Sequence, residues 1–224
     1  SDYNYTKQSL ELSLDWAVKS KISFDNTTPV YNHKQFQFGI SQGGMYPDLR
    51  KEYLDRMLEL DFDGNAIGGL SVGEPTEIMY NLTDLSTDKM PQNKPRYLMG
   101  VGTPENILEC IELGIDMFDC VLPTRNARNG QLFTTHGKIN IKNAKFKFSK
   151  EQIDPLIDNY ASNNFSLGYL RHLFMADEIL GLQLASLHNI AFYHWLVRTA
   201  REQILKSNFE NWKSNFLFTY QKGI

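Results

Sequence analysis

Residues 95–106, PRYLMGVGTPEN, contain the pattern that decides the fold. Arg96–Met99 is a short apolar segment typical of a strand, and the Gly100-Val101-Gly102 tripeptide after it predicts a turn. Thr103 then has the side chain of a helix N-cap, and Pro104 suits the first helical position. The segment therefore predicts one strand–loop–helix unit.

The same unit recurs in the neighbouring sequence. Three further strands, each followed by a polar or glycine-containing loop, are predicted at Phe36–Ile40, Ala66–Leu70 and Ile115–Cys120. Such units in series predict parallel strands joined by right-handed crossovers, with the loops at the carboxyl ends of the strands. A (β/α)₈ barrel and a doubly wound open sheet both place their chemistry at this edge, so the pattern alone does not choose between them.

The rest of the chain is predicted to be mainly helical. Leu10, Leu14 and Val18 belong to an opening helix. Two short strands, forming an antiparallel excursion, are predicted at Lys138–Ile141 and Lys145–Phe148. The last predicted helices are Leu167–Leu180, Leu184–Leu205 and Phe209–Phe218.

Composition indicates an ordinary soluble globular protein. The chain has 224 residues, of which 42% are hydrophobic and 22% charged. No apolar run reaches the roughly 18 residues that span a bilayer, and the opening residues lack the apolar core of a signal peptide. We interpret Cys110 and Cys120 as buried free thiols, which predicts a cytoplasmic protein.

Charge is distributed unevenly around a single carboxylate. Asp119 lies near the end of the fourth predicted strand, and a predicted polar loop with Arg125 and Arg128 follows it. Residues 121–150 contain no Asp or Glu and seven basic residues, so with a net charge of −3 the remainder carries −10. A carboxylate beside such a surface indicates a nucleophile or base that acts on an anionic substrate, with nucleic acid the first candidate.

Six motifs in this order resemble the tRNA-guanine transglycosylases, or queuine tRNA-ribosyltransferases. They are FGISQGG at 38–44, AIGGLSVGEP at 66–75, PRYLMGVGTPEN at 95–106, GIDMFDCVLPTRNARNG at 114–130, YLRHL at 169–173 and HN at 188–189. The resemblance favours the barrel and implies an α/β fold that is the C-terminal portion of a (β/α)₈ TIM barrel. Residues 1–150 would form the partial barrel, and 151–224 a helical subdomain that corresponds to the family's zinc-binding region.

The resemblance implies exchange of guanine at the tRNA wobble position for a queuine-type base. Asp119 would be the nucleophile that forms a covalent bond to the ribose, a role that suits a carboxylate. Asp116 is excluded as its partner because the two would point to opposite faces of a strand. By resemblance, Arg125 and Arg128 would grip the anticodon-loop nucleotides beside the exchanged one.

Further residues match the family's base-binding positions. By resemblance, Gln42, Gly69 and Leu70 would hold the base, and Glu74 would brace the Leu70–Ser71 peptide. Met99 would form the floor of the pocket, although a role in the core suits it equally well.

By resemblance, the family's general acid/base aspartate and the aspartate that binds the pyrimidine edge of the base correspond to positions before Ser1. We therefore expect the activity to need another chain or segment that supplies the N-terminal half of the barrel. A dimer is also possible by resemblance. The alternative is a catalytically inactive subunit that binds tRNA or acts as a scaffold.

The family's metal site differs in this sequence. The three zinc-binding cysteines of the family fall on Ile157, Asn159 and Ser162, and only the histidine, His188, is retained. Isoleucine cannot bind zinc, and amide and hydroxyl groups are poor zinc ligands. We predict no zinc and no other cofactor.

Overall fold

The computed structural model describes residues 2–223 in two compact units. The sheet unit contains the residues up to 102 together with 109–120, and the helical unit contains 103–108 together with the residues from 121 onward. The assignment of 1–150 to a catalytic region and 151–224 to a subdomain is a functional division, and it stays a prediction.

The sheet unit is built on a parallel sheet in the predicted strand order. The strands are β1 Phe38–Ser41, β2 Gly64–Ile67, β3 Arg96–Leu98 and β4 Met117–Phe118. All neighbouring pairs are parallel, and the register aligns Ser41, Ile67, Leu98 and Phe118 in one row. Because this row lies at the carboxyl end of every strand, the loops that follow open at the same edge of the sheet.

Helices alternate with or precede the strands of this sheet. They are α1 Tyr3–Asp25, α2 Pro47–Leu58, α3 Thr76–Thr87 and α4 Pro104–Glu112, the last of which spans the division between the units. The predicted start of α4 is confirmed, since Thr103 Oγ1 accepts a hydrogen bond from the Asn106 backbone N–H at 3.1 Å. Leu10 of α1, Leu54 of α2 and Leu82 of α3 contribute to one apolar core with the strand residues Ile67 and Leu98.

The two faces of the sheet differ in burial. Ser41, Ile67 and Leu98 are fully buried on the side of the core. The row on the other face contains Ile40, Ala66, Tyr97 and Met117; Ala66 is buried, whereas Ile40 and Met117 at its two ends are 39% and 44% exposed. Parallel sheets are usually covered on both faces, so this open apolar face is unusual.

The helical unit begins with a short helix and a hairpin. Helix α5, Leu122–Arg128, stands where the sequence predicted a polar loop, and that prediction was wrong. Pro123 lies in its first turn, where proline costs no hydrogen bond, and the Arg125 N–H donates to the Val121 carbonyl at 2.9 Å. The strands β5 Gln131–Thr134 and β6 Gly137–Asn140 then pair antiparallel.

The predicted strand at Lys145–Phe148 is also wrong. Ala144–Phe146 forms a 3₁₀ turn, because the Asn143 side chain accepts a hydrogen bond from the Lys145 N–H at 3.1 Å and closes the backbone. Phe146 is buried on the inner side of this turn, which explains its apolar character in the sequence.

The remaining part of this unit is helical, as predicted. The helices are α6 Tyr160–Asn164, α7 Leu167–Met175, α8 Ile179–Leu205 and α9 Phe209–Lys222. The helix predicted at Leu167–Leu180 is divided in two, because Asp177 adopts a left-handed φ of 53° between α7 and α8. Across residues 2–223, no helix combines the length and the apolar character that crossing a bilayer requires.

Both cysteines belong to the sheet unit and are free thiols. Cys110 is buried as predicted, whereas Cys120 is only half-buried.

Candidate active site

The loops that follow β1 and β2 meet at the Gln42 slot, the side of a cavity where the Gln42 amide lies against the Gly68–Gly69 backbone. Pairing of Ser41 with Ile67 brings Gln42 beside Gly68 and Gly69. A Cβ atom at Gly68 would lie 2.9 Å from Gln42 Nε2, and one at Gly69 would lie 3.3 Å from Gln42 Oε1. The absence of side chains at these glycines therefore allows the Gln42 amide to lie directly against the backbone, where it can offer both a donor and an acceptor to a ligand.

The β2–α3 loop is held in shape by Glu74. Its carboxylate accepts hydrogen bonds from the backbone N–H groups of Ser71 and of Val72, the latter at 2.9 Å. This confirms the predicted brace on the Leu70–Ser71 peptide. Burial alone would raise the pKa of the Glu74 carboxyl, but the surrounding backbone N–H donors lower that pKa below its ordinary value. The ionised carboxylate stabilises a loop in which Ser71 has a strained φ of 59°.

Leu70 and Met99 have different surroundings. The Leu70 side chain is buried in the core, so only its backbone is available to a ligand. Met99 is half-buried, and its backbone N–H donates to the Ile67 carbonyl at 3.2 Å. The predicted contact of Met99 with a base stays a prediction.

A cavity of ≈ 710 Å³ opens beside this slot. Gln42, Gly69 and Val72 line it from the loops, and Thr6 and Ser9 of α1 line it from the other side. Its volume is within the range of small-molecule sites, and its walls combine apolar surface with a few polar groups.

Asp119 lies just after β4 and receives two hydrogen bonds on one oxygen. Its Oδ1 accepts from the Tyr97 hydroxyl at 2.6 Å and from the Gly100 backbone N–H at 2.9 Å. Gly100 has a φ of 73°, a left-handed conformation that favours glycine. Oδ2 takes part in neither bond, so these two donors restrain only one oxygen of the carboxylate.

These contacts keep the exposed Asp119 side chain ionised. The Tyr97 hydroxyl, followed by the Gly100 N–H, lowers the pKa of the Asp119 carboxyl below its usual range. The same hydrogen bond raises the pKa of Tyr97 to about 12. Asp116 has a different environment, since its Oδ2 accepts from the Arg96 N–H at 2.9 Å, at the opposite end of β3 from Gly100. The two aspartates therefore do not form a pair.

Two residues of this site were not identified from the sequence. Tyr97 restrains Asp119, and Arg50 of α2 is buried behind the Gln42 slot. The burial of Arg50 could have been predicted from the sequence, because it lies at helical spacing from the buried residues Tyr53, Leu54 and Met57. The role of Tyr97 could not, because its partner is 22 residues away along the chain.

The basic segment, residues 121–150, belongs to the helical unit. Arg125 and Arg128 lie three positions apart on α5, which places them on one side of that helix. Both are exposed, and within the described part of the chain neither forms an ion pair. The five lysines of the segment are exposed as well. The segment is therefore available to a polyanion.

Comparison with known proteins defines the family. The family model for queuine tRNA-ribosyltransferase matches residues 1–222. The chain belongs to the queuine tRNA-ribosyltransferase family. Proteins named queuine tRNA-ribosyltransferase from Thermoanaerobacter sp. (strain X514) and Francisella tularensis subsp. tularensis (strain WY96-3418) are each 47% identical to it, over 98% and 96% of the chain. The chain spans 57% of the length of these relatives and matches their C-terminal part.

The positions of the family's zinc ligands form a hydrogen-bonded cluster in this chain. His188 is fully buried, and its Nε2 donates to the Phe133 carbonyl at 2.8 Å, since a carbonyl can only accept. Its Nδ1 faces Ser162 Oγ at 3.2 Å and Asn159 Nδ2 at 3.4 Å. Burial lowers the pKa of His188, which favours the neutral ring. Ile157 is buried and has no donor atom, so these residues do not fit a zinc ion.

The zinc prediction can be checked by elemental analysis. We expect the purified chain to contain far less than about one zinc per chain, because no thiolate is available at the three positions. A matched control is the triple variant Ile157→Cys, Asn159→Cys and Ser162→Cys, which restores the family pattern around His188 and should gain about one zinc. Stoichiometric zinc in the unmodified chain, with tetrahedral N/S coordination, would contradict the prediction.

The Tyr97 contact can be tested by titrating the carboxyl groups. Tyr97→Phe removes the donor that favours the ionised form, so the pKa of Asp119 should rise, and the carboxylate should protonate at a higher pH than in the unmodified chain. Carboxyl ¹³C chemical shifts followed from neutral to acidic pH measure this change. Asp116 provides an internal reference, and Tyr31→Phe an exposed tyrosine control. An unchanged Asp119 titration in Tyr97→Phe would refute the assignment.

Proposed function

We propose that this chain carries the nucleophile and part of the base pocket of a tRNA-guanine transglycosylase. The reaction is exchange of guanine at the wobble position of a tRNA anticodon for a queuine-type base. The observation that carries the proposal is the restrained, ionised Asp119 carboxylate at the same sheet edge as the Gln42 slot and its cavity.

The proposed chemistry is a double displacement at the ribose. In the first step Asp119 Oδ2 forms a bond to C1′ while the bond from C1′ to guanine N9 breaks, and the electron pair leaves with the base. In the second step N9 of the incoming base attacks C1′ and releases the carboxylate, while its N9 proton passes to the conjugate base of the acid that protonated the departing guanine. A negative carboxylate stabilises the oxocarbenium-like transition state of both steps. Tyr97 and Gly100 orient it without occupying Oδ2.

The base would occupy the slot beside Gln42. The Gln42 amide and the peptide groups around Gly69 and Leu70 offer donors and acceptors in one plane, which suits the edge of a purine. Glu74 supports this arrangement because it fixes the Ser71 and Val72 N–H groups. Met99 would contact the base from the adjacent strand end.

We further propose that the sheet is part of a (β/α)₈ barrel completed by a segment or chain that covers its open face. The exposed apolar residues Ile40 and Met117 on that face support this proposal. The match to the C-terminal 57% of longer relatives is consistent with it. The completing part would also supply the acid that protonates the departing guanine.

The tRNA would be held by the basic segment. Its seven exposed cations, with no acidic residue between them, favour a phosphate backbone. Arg125 and Arg128 suit nucleotides next to the exchanged base because a guanidinium can bind phosphate oxygens and base edges in a bidentate manner.

Asp119→Asn tests the nucleophile. In an enzyme completed with the preceding segment of the Thermoanaerobacter relative, we expect entry of labelled guanine into tRNA to fall by at least about a thousandfold, a usual scale for a lost catalytic group. Asp116→Asn is the matched control and should leave exchange unchanged. Full exchange by Asp119→Asn would refute the nucleophile assignment. tRNA binding without exchange by the unsubstituted enzyme would favour a non-catalytic tRNA-binding subunit.

Arg125→Ala and Arg128→Ala test the tRNA contact. Each should weaken tRNA binding and reduce the slope of log K against log salt by about one, as expected for the loss of one phosphate contact. Lys19→Ala is the control, because Lys19 is exposed on α1 and already paired with Asp15 at 2.6 Å. An unchanged salt slope in both arginine variants would exclude this role.

A further inference from the structure

Arg50 connects the two loops that form the Gln42 slot. It lies in the first turn of α2, and its side chain is 0% exposed. Its Nε donates to the Gly44 carbonyl at 2.8 Å, and its Nη2 donates to the Gly68 carbonyl at 2.9 Å. The first carbonyl belongs to the β1–α2 loop and the second to the β2–α3 loop. One planar guanidinium therefore spans the gap between the two loops.

The charge of Arg50 is poorly compensated for such a buried position. Burial lowers the pKa of Arg50 to about 10, against the opposing influence of the Glu74 charge, so the side chain is a cation at neutral pH. In residues 2–223 no carboxylate forms an ion pair with it, and Nη1 is buried without a hydrogen-bond acceptor. A buried charge held in this way is a weak source of stability. The position of Arg50 is therefore better explained by the two loops that it connects than by a contribution to folding stability.

The geometry requires a forked donor. The two accepting carbonyls lie on different loops, and a guanidinium presents N–H groups in fixed directions, whereas the single ammonium of lysine does not. Packing is tight on the same side: a Cβ atom at Gly43 would lie 2.8 Å from the Arg50 backbone N. The Gln42 loop therefore packs directly against the backbone of Arg50, and the Arg50 side chain contacts the β2–α3 loop.

We propose that Arg50 is a positioning residue that fixes the Gln42 loop and the Gly68–Leu70 backbone relative to each other, where both line the cavity. This inference rests on the proposed function in assigning a purine to the Gln42 slot. Arg50 touches neither the base nor the ribose, and it acts through the two carbonyls. Loss of the fork should loosen both loops and weaken capture of the free base, while Asp119 chemistry and tRNA binding remain.

The first experiment measures the loops directly and needs no activity. Arg50→Lys keeps the charge and loses the fork, Arg50→Gln is a second variant in case the first does not fold, and Arg56→Lys is the matched control on the exposed side of α2. Hydrogen exchange should accelerate by about tenfold at the Tyr46, Gly68, Ser71 and Val72 amides, the scale of one lost hydrogen bond. Amides in the middle of α3, in the same unit as Arg50, report on the folding of that unit and should not change. Unaltered loop exchange in a folded Arg50 variant would overturn the proposal.

The second experiment separates base capture from chemistry in the completed enzyme. Arg50→Lys should raise the guanine KM by about tenfold and leave kcat and the tRNA KM within about twofold. Equal losses in guanine KM, tRNA KM and kcat would indicate general destabilisation and would overturn the positioning role. If the unsubstituted enzyme shows no exchange, the proposed function fails, and the hydrogen-exchange result still decides whether Arg50 clamps the loops.

Discussion

The parallel register of the four-stranded sheet is the constraint on which the site depends. Ser41, Ile67, Leu98 and Phe118 lie in one row. The loop after each strand therefore begins at the same edge of the sheet, although the four strand ends are spread over 78 residues of chain (118 − 41 + 1). A slip of one residue in one strand would turn its side chains to the other face and move its loop along the edge. Ile67 and Leu98 are fully buried, and a slip would expose them to solvent. The loss of their hydrophobic burial therefore disfavours any other register.

Three polar side chains then shape the loops at this edge, each by binding backbone groups. Glu74 accepts from two N–H groups of its own loop, and Arg50 donates to carbonyls of two loops. At Asp119 the backbone positions the side chain instead, because the Gly100 N–H donates to the carboxylate and orients it. In all three cases the partner is a main-chain dipole, which keeps its position when neighbouring side chains change. Such contacts prearrange a site before any ligand is present.

Local patterns predicted much of the fold. The strand order and the Thr103 cap could be predicted because each depends on residues close in sequence or on a rule of parallel topology, whereas the Glu74 brace came from the family resemblance. The turn at Ala144–Phe146 was missed because alternating lysine and phenylalanine matches a strand, while one Asn143 side chain decides the backbone. Tyr97 was missed because its role depends on a hydrogen bond between strand ends that no local pattern encodes. The roles assigned to Gln42, Arg125 and Arg128 came from family resemblance and stay predictions.

The hydrogen-bonded cluster at Asn159, Ser162 and His188 also affects how the helical unit responds to oxidants. Sites built from cysteine thiolates are open to peroxide and to disulfide exchange, and the oxidised sulfur no longer binds metal. Residues 121–224 contain no cysteine, so the helical unit lacks the sulfur on which that chemistry acts. Thiol oxidation in this chain is confined to Cys110 and Cys120 of the sheet unit, and the half-buried Cys120, next to Asp119, is the more accessible of the two. We therefore expect thiol oxidation to occur first at Cys120, beside the proposed nucleophile, and not in the helical unit.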